Sequence, residues 1–489
     1  MKKYNSIILL FFILISTSGC KDFFDVNTRS NTVDEANLEL KLMLPDIENY
    51  ITSIEFSKAF SMSQLQQHTA SYFANGVDQH YETSMSGAWR NYYTKVLYTL
   101  KKMKEIAINK DAKHYLGVAQ ILDAISLGMV TDTYGDIPYT EAGVGSLNLE
   151  PAVDAQQQLY SKIQTLLDEG IANITATDNS GLENITGDIF YNGDLAKWER
   201  LAYTLKARYA LHLTKINGIN AAQDALTYLQ NGFTSNNDDL QLFYNDKYKN
   251  PWHTAVVLSA NTGNLSILFS EQIVNYMNGS IYATTNIDPR LPDYVDNGGA
   301  ATYDGAVNGA EGDDVNGNPA NTRFNGNSYY FKEDSPIVLA SYMEALFLKA
   351  EAEFLVNGGN TTTTGSTQAA YDAYMEGILA SMNKMGIDPA LRDAYINDPA
   401  IDVGLGNLIL ENIMVQKYVA LVLSTEIFTD LRRYDFSTDV YPGLAFPANR
   451  NPDIPAGEWP RRAVYPYSEP DLNNNITQVN FWDRMWWDQ

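Results

Sequence analysis

Four stretches of this chain carry apolar residues at the spacing of an amphipathic helix, and this periodicity constrains the fold more than any other feature. In residues 113–130 the apolar side chains recur every three or four positions, at Val118, Leu122, Ile125 and Met129. The same pattern returns in residues 194–213, 335–356 and 408–433. Such a stripe lies on one face of a helix and must be buried against another element. The sequence therefore predicts a mainly α fold of helices that pack on one another.

Local signals indicate where these helices begin and what they pack on. Asp194 stands where an N-cap would accept the first free amides, and Ser335 followed by Pro336 predicts another helix start. After a polar break, a further helix is predicted over 368–386, where Gly377 allows close approach. A helix, a loop and a second helix rich in Ala, Gly and Tyr form the unit of tetratricopeptide arrays, although the repeats here are irregular.

Two long segments lack helical periodicity. Residues 217–334 are dense in Gly, Asn, Asp and Pro, so we expect a loop-rich insert there. A connection of this length inside a domain is usually functional. From 435 to 489, repeated prolines and aromatic residues predict an ordered wrap over the helical core.

The N-terminus has the layout of a secretory signal peptide over residues 1–19. Lys2 and Lys3 precede an apolar run that is shorter than the roughly 20 residues needed to span a bilayer. Cys20, the only cysteine in the chain, follows directly. We expect Cys20 to carry acyl chains such as palmitate and to anchor the protein to a membrane, since more than one chain gives stable anchoring. The alternative is an incidental free thiol.

Composition excludes several classes of function. The net charge of −25 repels nucleic-acid phosphates, so no nucleic-acid partner is expected. With one cysteine, neither a disulfide nor a thiolate zinc site is available. The chain contains 32 Tyr and seven Trp beside many Asn, Gly and Thr. Aromatic faces next to amides suit sugar rings and hydroxyls, although most of these Tyr are expected to pack between helices.

Six motifs, in the family's order, resemble the SusD/RagB family of Bacteroidota outer-membrane lipoproteins. They are CKDFFDVN (20–27), TDTYGDIPYTEA (131–142), KWERLAYTLKARYALHL (197–213), NIDPRLPDY (286–294), PIVLASYMEALFLKAEAEF (336–354) and the ending RRAVYPYSEPDLNNN with WWD (461–488). The resemblance implies that residues 20–489 form a single SusD-like domain with a loop-rich ligand-binding half. Four irregular tetratricopeptide-like units are then expected at about 85–130, 150–216, 335–385 and 405–434.

The same resemblance implies a non-catalytic protein on the extracellular face of the outer membrane. Members of the family capture oligosaccharides or, in some cases, peptides. The expected partner is a SusC-type TonB-dependent outer-membrane transporter, on which such a lipoprotein acts as a hinged lid. No cofactor is expected.

Ligand contacts in the family come from the start of the first helical unit and from the central loops, which correspond here to residues 77–93 and 243–256. The candidates are exposed aromatic residues, on which a sugar ring can stack, together with polar neighbours. They are Tyr81, Trp89, Tyr248, Asn250, Trp252 and His253. Trp252 follows Asn250 and Pro251 in a predicted loop, where an exposed aromatic needs a reason. Trp89 has a core alternative, since Tyr92 and Val96 share its helical spacing.

Two other motifs contain residue types that occur in metal or charged sites. EGDDVNGNP places Asp313, Asp314, Asn316 and Asn318 at a partial calcium-loop spacing, but it lacks the glycine and terminal glutamate of an EF-hand. Turn formation is therefore the better account of that loop, and no metal site is expected. In NIDPRLPDY, Arg290 is predicted to pair with a carboxylate and pin a turn.

Two functions from other classes stay open. A glycoside hydrolase would need two carboxylates at a set separation. The sequence offers pairs such as Glu351 and Glu353, but these point to different sides of a helix. No HExxH, GxSxG or P-loop motif is present. A protein-interaction scaffold is the second alternative, as tetratricopeptide arrays often serve that role.

Overall fold

The computed structural model describes residues 39–311, 314–315, 318–319 and 321–489. The segment 1–19 and Cys20 lie outside these residues. Helices are the main element: α1 Leu40–Leu65, α2 Ser86–Asn91, α3 Tyr98–Asn109, α4 Lys113–Tyr134, α5 Gln156–Ile174, α6 Leu195–His212, α7 Thr214–Asn217, α8 Ile219–Leu229, α9 Ser259–Asn261, α10 Glu271–Met277, α11 Leu291–Tyr294, α12 Tyr342–Val356, α13 Gln368–Met385, α14 Pro389–Ile396, α15 Leu410–Ala420, α16 Glu426–Arg433 and α17 Glu469–Leu472. Wider π-helical turns at Tyr92–Leu97 and His253–Leu258 extend two of them.

The strands are short and pair in twos, all antiparallel. The pairs are β1 (Thr69–Ser71) with β3 (Ile267–Phe269), β2 (Leu240–Leu242) with β8 (Ile337–Ala340), β4 (Val295–Asp296) with β7 (Arg323–Phe324), and β5 (Asp314–Val315) with β6 (Asn318–Pro319). The predicted mainly α fold is confirmed.

Small residues let consecutive helices pack closely. At the crossing of α4 and α5, a Cβ on Gly117 would lie 2.8 Å from the carbonyl oxygen of Gly170 and 2.6 Å from Ile174 Cγ2. Between α12 and α13, a Cβ on Gly377 would come within 3.0 Å of the Phe347 ring. The close approach predicted for Gly377 is therefore confirmed.

Helix starts agree with the sequence in one case and differ in another. The Asp194 carboxylate accepts the Lys197 amide at 3.2 Å, as its predicted capping role requires. The helix predicted to begin at Ser335 is wrong: residues 337–340 form β8, and α12 begins after Ser341, whose hydroxyl accepts the Glu344 amide. The apolar run pairs with β2, and a short apolar run satisfies strand and helix patterns equally.

The fourth periodic segment, residues 408–433, forms two helices, α15 and α16. Helix α1, which the sequence did not predict, contacts the break between them. α15 ends at Ala420 and α16 begins at Glu426, with Leu423 at a φ of +61° between them. The Leu423 amide donates to His68 Nδ1 at 2.9 Å. In α1, Lys58 Nζ donates to Thr425 Oγ1 at 3.3 Å and lies 3.5 Å from Glu55, all three side chains being buried. Residues far apart in sequence thus satisfy each other's buried polar groups.

Arg290 forms the predicted ion pair. Its guanidinium lies 2.6 Å from the Asp288 carboxylate, and neither side chain is exposed to solvent. The same guanidinium donates to Gln416 Oε1 at 2.7 Å and Ser381 Oγ at 3.3 Å, which ties the turn before α11 to α13 and α15. The prediction that Arg290 is structural is confirmed.

The two segments without periodicity differ from each other. Residues 217–334 are largely loops, but α8 at their start packs on α6 and α12, which the sequence analysis missed. The C-terminal residues cross the helices: Trp487 is fully buried with the Arg432 guanidinium 4.6 Å from its ring, and Arg461 pairs with Asp488 at 2.8 Å.

Candidate functional site

An open groove of about 640 Å³ lies between α1, the segment before α6 and the loop after β2. We call it the Tyr248 groove. Its lining combines aromatic side chains with amides: Asn49, Ile189, Phe190, Tyr191, Lys197, Asn236, Asn237, Asp239, Gln241, Leu242, Phe243, Tyr244, Asn245 and Tyr248. Aromatic surfaces flanked by a few polar groups are typical of a site that binds a small molecule.

A tight turn presents Tyr248 at the rim. The Asn245 side chain accepts the amides of Lys247 and Tyr248, each at 3.0 Å, and the Asn245 amide donates to the Tyr248 carbonyl at 2.9 Å. The closed turn leaves the Tyr248 side chain 64% exposed, and Phe243 is 58% exposed. Two large aromatic side chains held in solvent on one groove are more than scattered surface apolar residues, and they mark an interaction site.

The floor of the groove is rigid. Tyr191 is buried and its hydroxyl donates to the Asp238 carbonyl at 2.6 Å. Asp238 in turn accepts from Arg200 at 2.8 Å, which anchors the turn before β2 to α6. Burial raises the pKa of Tyr244 to about 12, and its hydroxyl, protonated at neutral pH as in any tyrosine, can donate a hydrogen bond. A fixed floor reduces the conformational entropy that a ligand must pay on binding.

Amide groups around the rim are available for ligand hydroxyls. Within the described residues, the side chains of Asn49 and Asn237 make no hydrogen bond, and both residues are exposed. Asn236 donates to the Ala380 carbonyl at 2.9 Å, while its Oδ1 is buried without a partner. Amides can both donate to and accept from a sugar hydroxyl, which also does both.

Of the predicted ligand residues, Tyr248 alone lies in this groove. Asn250 is fully buried, donates to the Ser335 carbonyl at 3.0 Å and accepts the Trp252 amide at 2.7 Å. Its polar groups are satisfied by the chain itself. His253 is half-buried, with Nδ1 2.8 Å from the Phe331 carbonyl. Both residues hold the loop in place beneath the rim.

The expectation that Trp252 is an exposed loop aromatic is wrong. The side chain is 6% exposed and packs edge-on to Phe56 of α1 at 5.2 Å, and it stacks on Phe324 of β7 at 6.2 Å. Residues 253–258 form a π-helical turn, and the chain enters it with Trp252 turned toward the core. The partners that bury this ring are far away in sequence, so the local Asn-Pro-Trp pattern gave no signal of them.

Trp89 lies at the base of a second groove of about 740 Å³, lined by Tyr93, Tyr98, Leu149 and Leu472 among others. Only 5% of Trp89 is exposed, and it packs on Tyr93 at 4.6 Å and Tyr134 at 5.0 Å, which agrees with its core alternative. This groove is more apolar than the Tyr248 groove. Tyr81 is half-buried and lines neither groove.

Sequence reasoning missed most of the groove. Phe243 and Tyr244 fall inside residues 243–256, five and four positions before Tyr248, but they are not among the contacts predicted from the sequence. Asn49, Phe190 and Lys197 come from distant elements, and the sequence carries no signal that unites them with residue 248.

In the part of the chain that the structure describes, no cluster of three or more His, Cys, Asp or Glu side chains is placed to hold a metal. Asp313 and Asn316 lie outside the described residues, and Asp314 and Asn318 are described only as backbone in β5 and β6, so the prediction of a turn in this loop, with calcium binding as its weaker alternative, stays a prediction. Glu351 is fully buried and pairs with Arg433 at 2.7 Å, whereas Glu353 is partly exposed.

No helix within the described ranges has both the length and the apolar character needed to cross a bilayer. The fold and the groove together define a mainly helical protein with an open, aromatic-lined surface site.

Comparison with known proteins assigns this fold to a family. The SusD-like family, described as starch-binding and associating with the outer membrane, matches residues 30–466. This chain belongs to that family, and the resemblance to SusD/RagB proteins seen in the motifs is confirmed. No curated protein sequence matches the chain significantly.

Solved structures agree over nearly the whole chain. A chitin-binding protein is 24% identical with a TM-score of 0.72, over 92% of this chain and 100% of that one. A SusD homologue from Bacteroides uniformis is 20% identical with a TM-score of 0.73, over 92% and 99%. A chitin-binding SusD homologue from Flavobacterium johnsoniae is 21% identical with a TM-score of 0.65, over 92% and 98%. At these identities the likeness shows a shared fold.

Proposed function

We propose that this protein binds an oligosaccharide in the Tyr248 groove. The observation that supports this most directly is the pairing of exposed Phe243 and Tyr248 with amides that have no partner in the described chain. Rings can stack on the C–H face of a sugar while Asn49 and Asn237 bond its hydroxyls. The family's description as starch-binding, and the chitin-binding proteins of similar fold, support a glycan over a peptide.

The protein would hand this ligand to a transporter without making or breaking a covalent bond. We propose that Cys20 carries a lipid anchor on the extracellular face of the outer membrane, and that the domain acts as the lid of a SusC-type TonB-dependent transporter. The family's association with the outer membrane supports the location. The burial of Glu351 in an ion pair leaves the Glu351 and Glu353 pair unsuited to glycoside hydrolysis.

A glycan array followed by calorimetry on the mature domain tests ligand binding. An aromatic contact contributes about 0.5–1.5 kcal/mol, so Tyr248→Ala or Phe243→Ala should each weaken binding roughly twofold to tenfold. Tyr467→Ala is the matched control, because Tyr467 is 66% exposed and lies outside the groove. Equal affinity in all three variants would place the ligand elsewhere. Binding of peptides alone, or release of new reducing ends, would favour the other candidate functions.

Anchoring and partnership need separate measurements. Mass spectrometry of the native N-terminus should show acyl chains on Cys20. Affinity purification of the full chain from outer membranes should bring a TonB-dependent barrel with it, and Cys20→Ala should release the protein from the membrane fraction. A soluble protein with an unmodified Cys20 would contradict the proposed role as a lipid-anchored lid of the transporter.

A further inference from the structure

The Tyr248 groove carries positive charge on a strongly negative protein. The chain has a net charge of −25, yet two lysines, Lys197 and Lys247, are found at the groove. Neither ammonium group has a carboxylate within 4.0 Å among the described residues. On a surface where acids outnumber bases, unpaired lysines at a binding groove are a feature that solubility alone does not require.

Both ammonium groups lie against the aromatic rings of the groove. Lys197 Nζ is 5.8 Å from the centroid of Tyr191, and Lys247 Nζ is 4.9 Å from the centroid of Tyr248. A cation over a ring face is held there by the ring quadrupole. A ligand that stacks on Tyr248 therefore lies close to the Lys247 charge, and a ligand that reaches the floor at Tyr191 lies close to the Lys197 charge.

The acids of the same surface are mostly neutralised by other partners. Asp239 is paired with Lys384 and also accepts the Tyr342 amide at 2.6 Å. Asp238 pairs with Arg200 at 2.8 Å.

Glu333 pairs with Lys249 at 2.6 Å, and that lysine lowers the pKa of the Glu333 carboxyl. Asp246, in the turn before Tyr248, and Asp194, whose carboxylate accepts the Lys197 amide, are exposed acids near the two lysines. Neither acid is within 4.0 Å of the Lys197 or Lys247 ammonium group in the described chain, so both ammonium groups are open to an anionic group of a ligand.

We propose that the Tyr248 groove prefers oligosaccharides that carry anionic groups, the carboxylates of uronic acids or sulfate esters, over neutral ones. This inference rests on the proposed glycan binding. Lys197 and Lys247 would each pair with an anionic substituent while the rings hold the sugar faces. Exposed ion pairs are weak, so each lysine should account for roughly a twofold to fivefold difference in affinity, and salt should reduce it.

Matched ligands separate charge from sugar identity. Calorimetry would compare oligogalacturonide with its methyl ester, and a sulfated chondroitin oligosaccharide with its desulfated form, at low and at high ionic strength. Neutral chito- and malto-oligosaccharides complete the set. The acidic member of at least one pair should bind several-fold more tightly than its neutral form, and high salt should remove that advantage. The pair that shows it identifies carboxylate or sulfate as the anion.

The variants Lys197→Gln and Lys247→Gln, alone and combined, test the residues. The double variant should bind the acidic and neutral members of a pair equally, and should keep its affinity for the neutral member. Lys349→Gln removes one charge from the exposed side of α12, outside the groove, and should retain the preference for the acidic member.

The possible failures are distinguishable. If acidic and neutral members bind equally well to the unaltered protein, or if the neutral oligosaccharides bind best, the charge preference is wrong while glycan binding stands. A preference that survives in the double lysine variant would also overturn it. If no oligosaccharide binds at all, the proposed function fails together with this inference.

Discussion

A buried pair of carboxyl groups makes the stability of this protein depend on pH in a way that one substitution should remove. Glu48 on α1 is fully buried beside Asp188. Asp188 accepts the amides of Phe190, Tyr191 and Gly193 and the indole N–H of Trp198 at 2.8–2.9 Å. Glu48 accepts one amide, from Ile189 at 2.8 Å. Because Glu48 is fully buried and accepts only one donor, it is the partner that holds a proton.

The size of the pH effect on stability follows from the pKa of Glu48. Burial, with the Asp188 charge as a second cause, raises the pKa of Glu48 from 4.5 to about 10. A raised pKa means that the folded state holds a proton which the unfolded state releases. The stabilising contribution is therefore complete below pH 4.5 and is lost progressively up to about pH 10. The loss is about 1.4 kcal/mol per pH unit.

Glu48→Gln keeps a neutral donor of the same shape and does not titrate. The free energy of unfolding of this variant, minus that of the unaltered protein, should rise by up to about 4 kcal/mol over roughly three pH units through neutrality. Urea denaturation at a series of pH values measures it, and the difference cancels every other group. Glu105→Gln, a solvent-exposed position on α3, controls for the lost negative charge. A Glu48→Gln difference that stays constant with pH would refute a protonated Glu48.

Three further substitutions test the packing and the helix ends by urea denaturation. Gly117→Ala forces a methyl group against α5 and should cost about 1–3 kcal/mol, whereas Gly406→Ala, where a Cβ meets nothing within 4 Å, should be nearly neutral; equal costs would contradict the close crossing. Arg290→Ala strands a buried carboxylate and should cost about 3–5 kcal/mol, against less than about 1 kcal/mol for the more exposed Arg392→Ala, and a small loss at 290 would show that the carboxylate finds another partner. Asp194→Ala removes an N-cap and should cost about 1 kcal/mol; no change would mean that water replaces the cap.

The sequence predicts elements whose pattern is local. Val118, Leu122, Ile125 and Met129 form an uninterrupted stripe, and α4 is found where they predict it. α1 escaped prediction because polar residues such as Glu48 occupy its buried face. A pattern of apolar residues cannot show that a buried acid has a partner elsewhere in the chain.

The site was less predictable than the fold. Tyr248 is exposed because of a turn that its own neighbours make, and it was predicted correctly as an exposed aromatic. Trp252, four residues later, is buried by Phe56 and Phe324, which no local pattern connects to it. Tertiary packing decides whether an aromatic side chain is exposed. Only the fold therefore shows which aromatic residues of a loop can contact a ligand and which are buried in the core.

The polar contacts that Lys58 of α1 and His68, just after it, make with residues 423–425 affect the order in which the chain can fold. Lys58 and His68 emerge from the ribosome some 360 residues before Thr425 and Leu423, to which they bond. Until then Lys58 has only Glu55, and His68 Nδ1 only the Gln66 side chain, as native polar partners, so a native core around them would lack the bonds to Thr425 and Leu423. We therefore expect the first helix to reach its final place only after residues 423–425 have been made. Fragments that stop before residue 423 are expected to stay open and to need a chaperone.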